Sequence, residues 1–508
     1  MRFRRLAALP FLLLTDALIA QDENPLANPQ ILALDTLVRE VVAWNADLID
    51  QQLSVQIANA VAKGEAFYFE PEFFGSVRYH DTNTPNNAAE TISRAGLQTH
   101  FERQWNAVAG LTGTLPTGMQ WTFEYQQSET SNSVIDTLRD YTYEYESQVK
   151  ATLRQPLLQG FGPDVVLADL KQSRLESRII RSAFEERLMD VIAITIREYW
   201  KLYGAQVLVE SLEDSVSRLE ESVSLLEQKL ESGEIPESDL IEAKSTLLAR
   251  RIELRSMRNS VASVQIQILR LLNDSKLAAG DGDLVASEAA MEYAQVFDSL
   301  SQYLDFARAN RALFVATNLR AEQARLAVRA KRNATFPKVD LVLSWWRSNL
   351  DDEWIENEAF KDDFKSYYVG VEFNMPIFGG QRDRAQLSKA RLELRQAQNA
   401  IHTLERELRL ELANYLDLSE ASRAQLRDME ETYALKQLLL EGEMERFRAG
   451  ELGIDDLIEK EEDATAYYRR LVNKLIENKV NEANLDRAAG YLLTRFYGDE
   501  HPFEELGR

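Results

Sequence analysis

Apolar residues recur along this chain with two different periods. Between Pro163 and Ser232 only one glycine, Gly204, interrupts the run, and Leu208, Leu212, Val216, Leu219, Val223, Leu226 and Leu230 alternate mostly by steps of four and three. That spacing lies near the heptad period and predicts a coiled-coil-like helix, a rod of about 100 Å for roughly 70 residues. A stop-and-restart signal follows at Gly233 and Pro236, with Ser238 or Asp239 available to cap the next helix. Beyond it Leu240, Ala243, Leu247, Leu254, Met257, Val261, Val264, Ile268 and Leu271 keep the register, so the two arms are expected to form an antiparallel hairpin.

The plan is given twice. A second helical stretch from about Arg382 to Ala449 carries Ile401, Leu404, Leu408, Leu412 and Tyr415, breaks at Gly450 and Gly453, and returns to about Leu493. The two turns, GEIPESDLIE at 233 to 242 and GELGIDDLIE at 450 to 459, align without a gap at an offset of 217 and share six of ten residues, Gly233 and Leu240 matching Gly450 and Leu457. Each half also opens with a helical lead-in, near 29 to 63 and near 303 to 334, that ends at a segment carrying Pro71 or Pro337.

Between lead-in and hairpin the period falls to two. Tyr141, Tyr143, Tyr145, Val149, Ala151 and Leu153 alternate with charged and polar residues. So do Val339, Leu341, Leu343 and Trp345, and again Tyr367, Val369, Val371, Phe373 and Met375. These are strands with one apolar, aromatic-rich face. A half-buried sheet over a core would also alternate, but Tyr and Trp crowding the apolar face favours the aromatic girdle of a membrane barrel. The segment TLPTGMQWTFEYQQ at 114 to 127 reads as an extra hairpin with Trp121, Phe123 and Tyr125 on one face, and whether it joins a barrel or decorates a rim stays open. Polar segments at 81 to 96 and 347 to 363 are expected to be loops. Strand-to-helix junctions fall at RQPLLQGFGPD, with Pro156 and Gly160, and at NMPIFGGQRD, with Pro376 and Gly379.

Composition narrows the function classes. The 508 residues include 12 Pro and 21 Gly, too little punctuation for several compact domains. Cysteine is absent, which removes disulfides, thiolate metal sites and cysteine nucleophiles. A formal charge of −24 argues against nucleic acid as a partner. The four histidines, His80, His100, His402 and His501, show no metal spacing, and GFG at 160 to 162 lacks the GK[ST] of a phosphate loop, so no cofactor, metal or catalytic chemistry is expected. Residues 1–20, with Arg2, Arg4 and Arg5 ahead of a short apolar run, have the layout of a secretory signal peptide, although Asp16 and Leu18 make it an imperfect one. No later run is long and apolar enough for a transmembrane helix, so a membrane role would fall to strands.

With QPLLQGFG and MPIFGG after strands, twin GE-x4-DLIE turns and a duplicated order of helix, strands, long helix and return helix, the sequence over about 30 to 495 resembles the TolC-like outer membrane efflux protein family. The resemblance implies a mainly α fold with a β-barrel portion: long antiparallel hairpins form an α-barrel, and a few transmembrane strands per chain, usually four, close a barrel as a homotrimer. It implies an outer-membrane exit duct that extends into the periplasm and works with a periplasmic adaptor and an inner-membrane pump. The family's acidic constriction falls on Asp456 and Glu459, and in the first repeat on Asp239; the aromatic hydroxyl and the basic residue of its polar latch are replaced by Phe447 and Leu452.

The expected layout is a leader over 1–20 and a first repeat over 21–302, with strands about 66–155, hairpin 163–272 and linker 273–302. A second repeat over 303–495 has strands about 337–378 and hairpin 382–493, followed by a tail over 496–508. Acidic residues in a first helical turn also serve simply to cap amides and oppose the dipole, a reading that suits Asp239 better than it suits Asp456 and Glu459. Efflux of small molecules leads as the function. Type I protein secretion is the alternative within the same class, and a periplasmic coiled-coil scaffold, which leaves the aromatic strands unexplained, is the alternative outside it.

Overall fold

The computed structural model describes residues 30–273, 284–287, 297, 299–354, 364–377 and 380–498. The leader at 1–20, Gly379, His501 and the tail from 499 lie outside the described residues. Two compact units divide the chain, one of residues 1–37 and 198–291, the other of 38–197 and 292–508.

The duplication read from the turns extends through the helices. The first lead-in is α1 (Leu34–Trp44) followed by α2 (Ala46–Ala66), and the second is α8 (Leu300–Asn310) followed by α9 (Ala312–Asn333). Lengths of 11 and 21 residues are thus matched by 11 and 22. Each lead-in was expected as one helix, and each is broken, at Asn45 and at Arg311. Neither break uses Pro or Gly: Asn45 is extended and its side chain accepts the Leu48 N–H, a helix start written into the middle of an apolar run. The long arms repeat as well, α6 (Ala168–Glu231) and α7 (Glu237–Leu272) in the first half against α10 (Gln381–Arg448) and α11 (Ile454–Ala489) in the second.

Within the first unit, Leu208, Leu212, Val216, Leu219, Val223 and Leu226 are buried, and Leu240, Ala243, Leu247, Leu254 and Ile268 of α7 are buried with them. Each leucine so covered is worth about 1.5–3 kcal/mol. The antiparallel register is also written in charge. Glu227 meets Lys244, Glu220 meets Arg251 and Glu213 meets Arg258, each at 2.7 Å, so that seven residues back along one arm is seven forward along the other. A short parallel pair, β1 (Gln30–Leu32) with β6 (Leu284–Ala286), is tied to α6 by Gln206, whose amide group donates to the Leu284 carbonyl at 2.7 Å and accepts the Ala286 N–H at 3.0 Å.

In the second unit Tyr303 and Ala307 pack with Leu408 and Leu412 of α10 and with Leu485, Ala488 and Ala489 of α11. A smaller cluster joins Leu175 and Ile179 of α6 to Ala316 and Leu319 of α9. This unit also holds one six-stranded antiparallel sheet in the order β2 (Glu72–Pro85), β3 (Thr99–Thr114), β4 (Gln120–Asn132), β5 (Glu144–Pro156), β7 (Lys338–Asp351), β8 (Lys365–Asn374).

Three sequence expectations are corrected here. Residues 81 to 96 are not a loop: β2 runs to Pro85 and a short helix, α3 (Ala88–Ser93), follows, closed by a capping box between Asn87 and Glu90. Residues 347 to 351 continue β7, because polar side chains are no obstacle on a strand whose ladder is paired. Tyr141 and Tyr143 precede β5, which starts at Glu144. Among the described residues no helix is long and apolar enough to cross a membrane.

Candidate functional site

The sheet sorts its residues by chemistry. Along one hydrogen-bonded row Phe73 leads through Leu111, Phe123, Ala151 and Trp345 to Tyr367, all on one face by the period of two. Neighbouring rows on that face add Val77, Tyr79 and Trp105, Trp121 and Leu153, Leu343 and Val369. Apart from the half-buried Trp121 and Ala151 these side chains stand exposed, Phe73 at 74% and Tyr367 at 81%. No water-soluble surface of this breadth needs so many exposed aromatic and branched residues, whereas a lipid-facing band does.

The opposite face is polar and internally bonded. Lys150 pairs with Glu124 at 3.1 Å, Thr152 with Ser344 at 3.1 Å, and Gln104 with Thr130 at 3.2 Å. Arg154 bridges Asp340 at 3.0 Å and Glu372 at 2.5 Å. The strands are also staggered. Phe73 is one residue from the helix-side end of β2, while Tyr367, in the same row, is seven from that of β8. A slip of six residues over five strand spacings, at about 3.4 Å per residue and 4.8 Å per spacing, tilts the strands by about 40°, the tilt of a closed barrel.

Both halves meet at the junctions. Pro156 ends β5, and Gly160, at φ +83, donates its N–H to Asn333 Oδ1 at 2.7 Å while Asn333 Nδ2 donates to the Leu158 carbonyl at 3.1 Å. The first junction is thereby tied to the end of α9. At the second, Pro376 follows β8 and Gly380, with φ +61 in the left-handed region, caps α10.

The two hairpin turns have the same hydrogen bonds. Gly233 donates to the Leu230 carbonyl at 3.0 Å and Glu234 to that of Lys229 at 2.9 Å; Gly450 donates to Phe447 at 3.0 Å and Glu451 to Arg446 at 2.9 Å. These are Schellman closures, with the glycines at φ +76 and +78. The restarts correct the capping expectation: Pro236 occupies the cap of α7 and makes no side-chain bond there, so Ser238 and Asp239 fall inside the first turn and bond to each other at 2.9 Å. Asp239 opposes the dipole without capping.

At the second turn Leu457, Ile458 and Phe447 are buried, Phe447 at 2% exposure, where it packs as a hydrophobe in place of a polar latch. Asp456 and Glu459 are both exposed, one helical step apart. Lys460, not singled out by its sequence context, donates its ammonium to Glu459 at 2.7 Å; that bond, with Asp463 and Asp456 nearby, holds it above the ordinary lysine range. The i,i+1 pair was visible in the sequence, but only the backbone makes it a contact. His100, unassigned by the sequence, is buried against Ser133 Oγ at 2.8 Å and serves packing.

A sheet with one exposed apolar, aromatic-rich face and one polar face, in a chain of long periodic helices, fits an outer-membrane channel protein. The family model described as outer membrane efflux protein matches residues 303–490. The outer membrane efflux protein BepC of Brucella suis is 25% identical over 423 residues, 82% of this chain and 85% of that one. The proteases secretion protein PrtF of Dickeya chrysanthemi is 22% identical over 369 residues, 71% and 78% respectively. In fold, the outer membrane channel CmeC of Campylobacter jejuni superposes with a TM-score of 0.64 at 15% identity, covering 98% of both chains. The family match over the second repeat, the two relatives and the shared fold together indicate a TolC-like channel of the outer membrane.

Proposed function

We propose that three copies of this chain close one barrel in the outer membrane and one tunnel through the periplasm, forming the exit duct of a tripartite efflux pump. The carrying observation is the six-stranded sheet with an apolar face and two unpaired edges, β2 and β8. Hydrocarbon tolerates no open edge, and β2 and β8 do not pair with each other, so copies must supply the rest. The helices support the same reading. Ile241, Leu248 and Ile252 on α7 and Leu410, Leu435 and Leu438 on α10 stand exposed at helical spacing, faces suited to neighbouring copies.

Asp456 and Glu459 are the constriction in this reading, with Asp239 at the corresponding turn of the first repeat. A threefold ring of the Asp456 and Glu459 pair brings six carboxylates together, partly offset by Lys460, and favours cations. A periplasmic adaptor and an inner-membrane pump complete the assembly. Small molecules are the leading cargo, as the name of BepC suggests; the likeness to PrtF favours a polypeptide from type I secretion as the second reading. Purified protein added to a planar lipid bilayer should give stepwise, cation-selective conductance. Failure to insert would contradict the duct.

A further inference from the structure

The two repeats spend different numbers of strands between matching helices. The second inserts two, β7 and β8, between α9 and α10, whereas the first inserts four, β2 to β5, between α2 and α6. Removing β3 and β4 leaves the order β2, β5, β7, β8 with its antiparallel alternation intact, so this hairpin is an addition to a two-strand plan.

It is built to the same specification as the strands around it. β3 has 16 residues and β4 has 13, against about 9–11 needed to cross a bilayer. Leu111 on β3 and Phe123 on β4 continue the apolar row that begins at Phe73 on β2 and ends at Tyr367 on β8, while on the same face Trp105 stands opposite Tyr79 and Tyr125 opposite Val149. The polar obverse also runs through, from Gln104 and Thr130 to Glu124 and Lys150. At the helix-side end the hairpin turn is seated in the first junction: Thr117 accepts the Gly162 N–H at 3.1 Å, and a Cβ on Gly118 would lie 2.3 Å from the Gly160 carbonyl oxygen. A rim ornament would need neither the through-running rows nor the seat.

We propose that the added hairpin crosses the membrane in every copy, so that the trimer, on which this inference rests, closes eighteen strands instead of twelve. With strands about 4.8 Å apart and tilted by about 40°, the barrel widens from about 24 Å to about 36 Å between backbones. The cross-section of the outer exit roughly doubles, since area grows as the square of strand number. The exit thereby admits bulkier solutes, including polypeptide that keeps helical structure, than the two-strand plan would pass.

The absence of native cysteine makes the test direct. Phe123→Cys and Gln126→Cys probe opposite faces of β4, and Leu343→Cys and Ser344→Cys do the same for β7. Each is spin-labelled on full-length protein in phospholipid vesicles and read by collision with oxygen and with a water-soluble nickel chelate. The eighteen-strand barrel requires oxygen to dominate at 123 and 343 and nickel at 126 and 344, an inversion of several-fold within each pair. Nickel access at both 123 and 126, with 343 and 344 still inverted, overturns the wider barrel and leaves the duct standing. Loss of the inversion on β7 as well removes the duct itself. As a second readout, deletion of residues 99–132 should lower the size of polyethylene glycol that enters from the outer side; an unchanged cut-off would overturn the proposal.

Discussion

Arg154 at the end of β5 donates to Asp340 at the start of β7 at 3.0 Å, joining the last strand of the first repeat to the first strand of the second. Asp340 is 1% exposed and its other charged neighbour, Lys338, stands 3.6 Å away. Arg154→Gln therefore leaves a buried carboxylate nearly alone. Loss of about 2–3 kcal/mol is expected, seen as a lower midpoint for thermal dissociation of the assembled protein. Adding Asp340→Asn should recover most of the loss, and no recovery would mean that Arg154 acts through Glu372 instead.

A second buried carboxylate sets a pH dependence. Asp486 on α11 is raised from 3.8 to about 6, first by burial and also by Glu482, against the opposing pull of Arg495, bonded at 2.7 Å, and of Arg423. The folded chain thus holds this proton more tightly than the unfolded one. Its contribution is greatest below about pH 4, falls between about pH 4 and 6, and is constant above, a swing of about 3 kcal/mol. Asp486→Asn should remove that slope, measured as the difference from the parent in urea stability at pH 4.5 and 7.5. Equal slopes in parent and variant would show that the carboxyl is not held proton-bound.

The helical seams were legible because one period persists over many turns, and the burial of Leu208 to Leu226 follows it residue by residue. Strands β4, β5, β7 and β8 were legible where aromatic and branched residues alternate. β2 and β3 were not: Gly75, Ala107, Ala109 and Gly113 thin out their apolar face, and its upper part turns to Asp81 and Arg103, which pair at 3.4 Å. What holds β2 and β3 in the sheet is the ladder to their neighbours, a long-range property that no local window carries. The capping of α7 failed for a related reason. Ser238 and Asp239 are good cap residues, but Pro236 fixes the chain three residues before Asp239 and starts the helix early.

The turn glycines make a paired prediction. A Cβ at Gly233 would meet nothing within 4 Å, so Gly233→Ala tests backbone conformation alone. A cost of about 1 kcal/mol is expected from the positive φ, with Gly450→Ala costing a similar amount. Hydrogen exchange at residues on either side of each turn should quicken by about fivefold. Unchanged exchange would indicate that the closure contributes nothing to the hairpin.

For the constriction, Asp456→Ala with Glu459→Ala should raise single-channel conductance and weaken block by divalent cations. Lys460→Met should act in the opposite sense on selectivity, because it leaves Glu459 without the ammonium at 2.7 Å. Conductance and block unchanged in both variants would return these carboxylates to the dipole role.

The central claim is that copies of this chain close one another's open strand edges in the outer membrane. It is tested most directly by the mass of the particle obtained after membrane extraction. The account predicts that the protein leaves the membrane fraction only with detergent, and that light scattering, corrected for bound detergent, gives about three times the mass of one chain. A monomer soluble after lysis without detergent would contradict it.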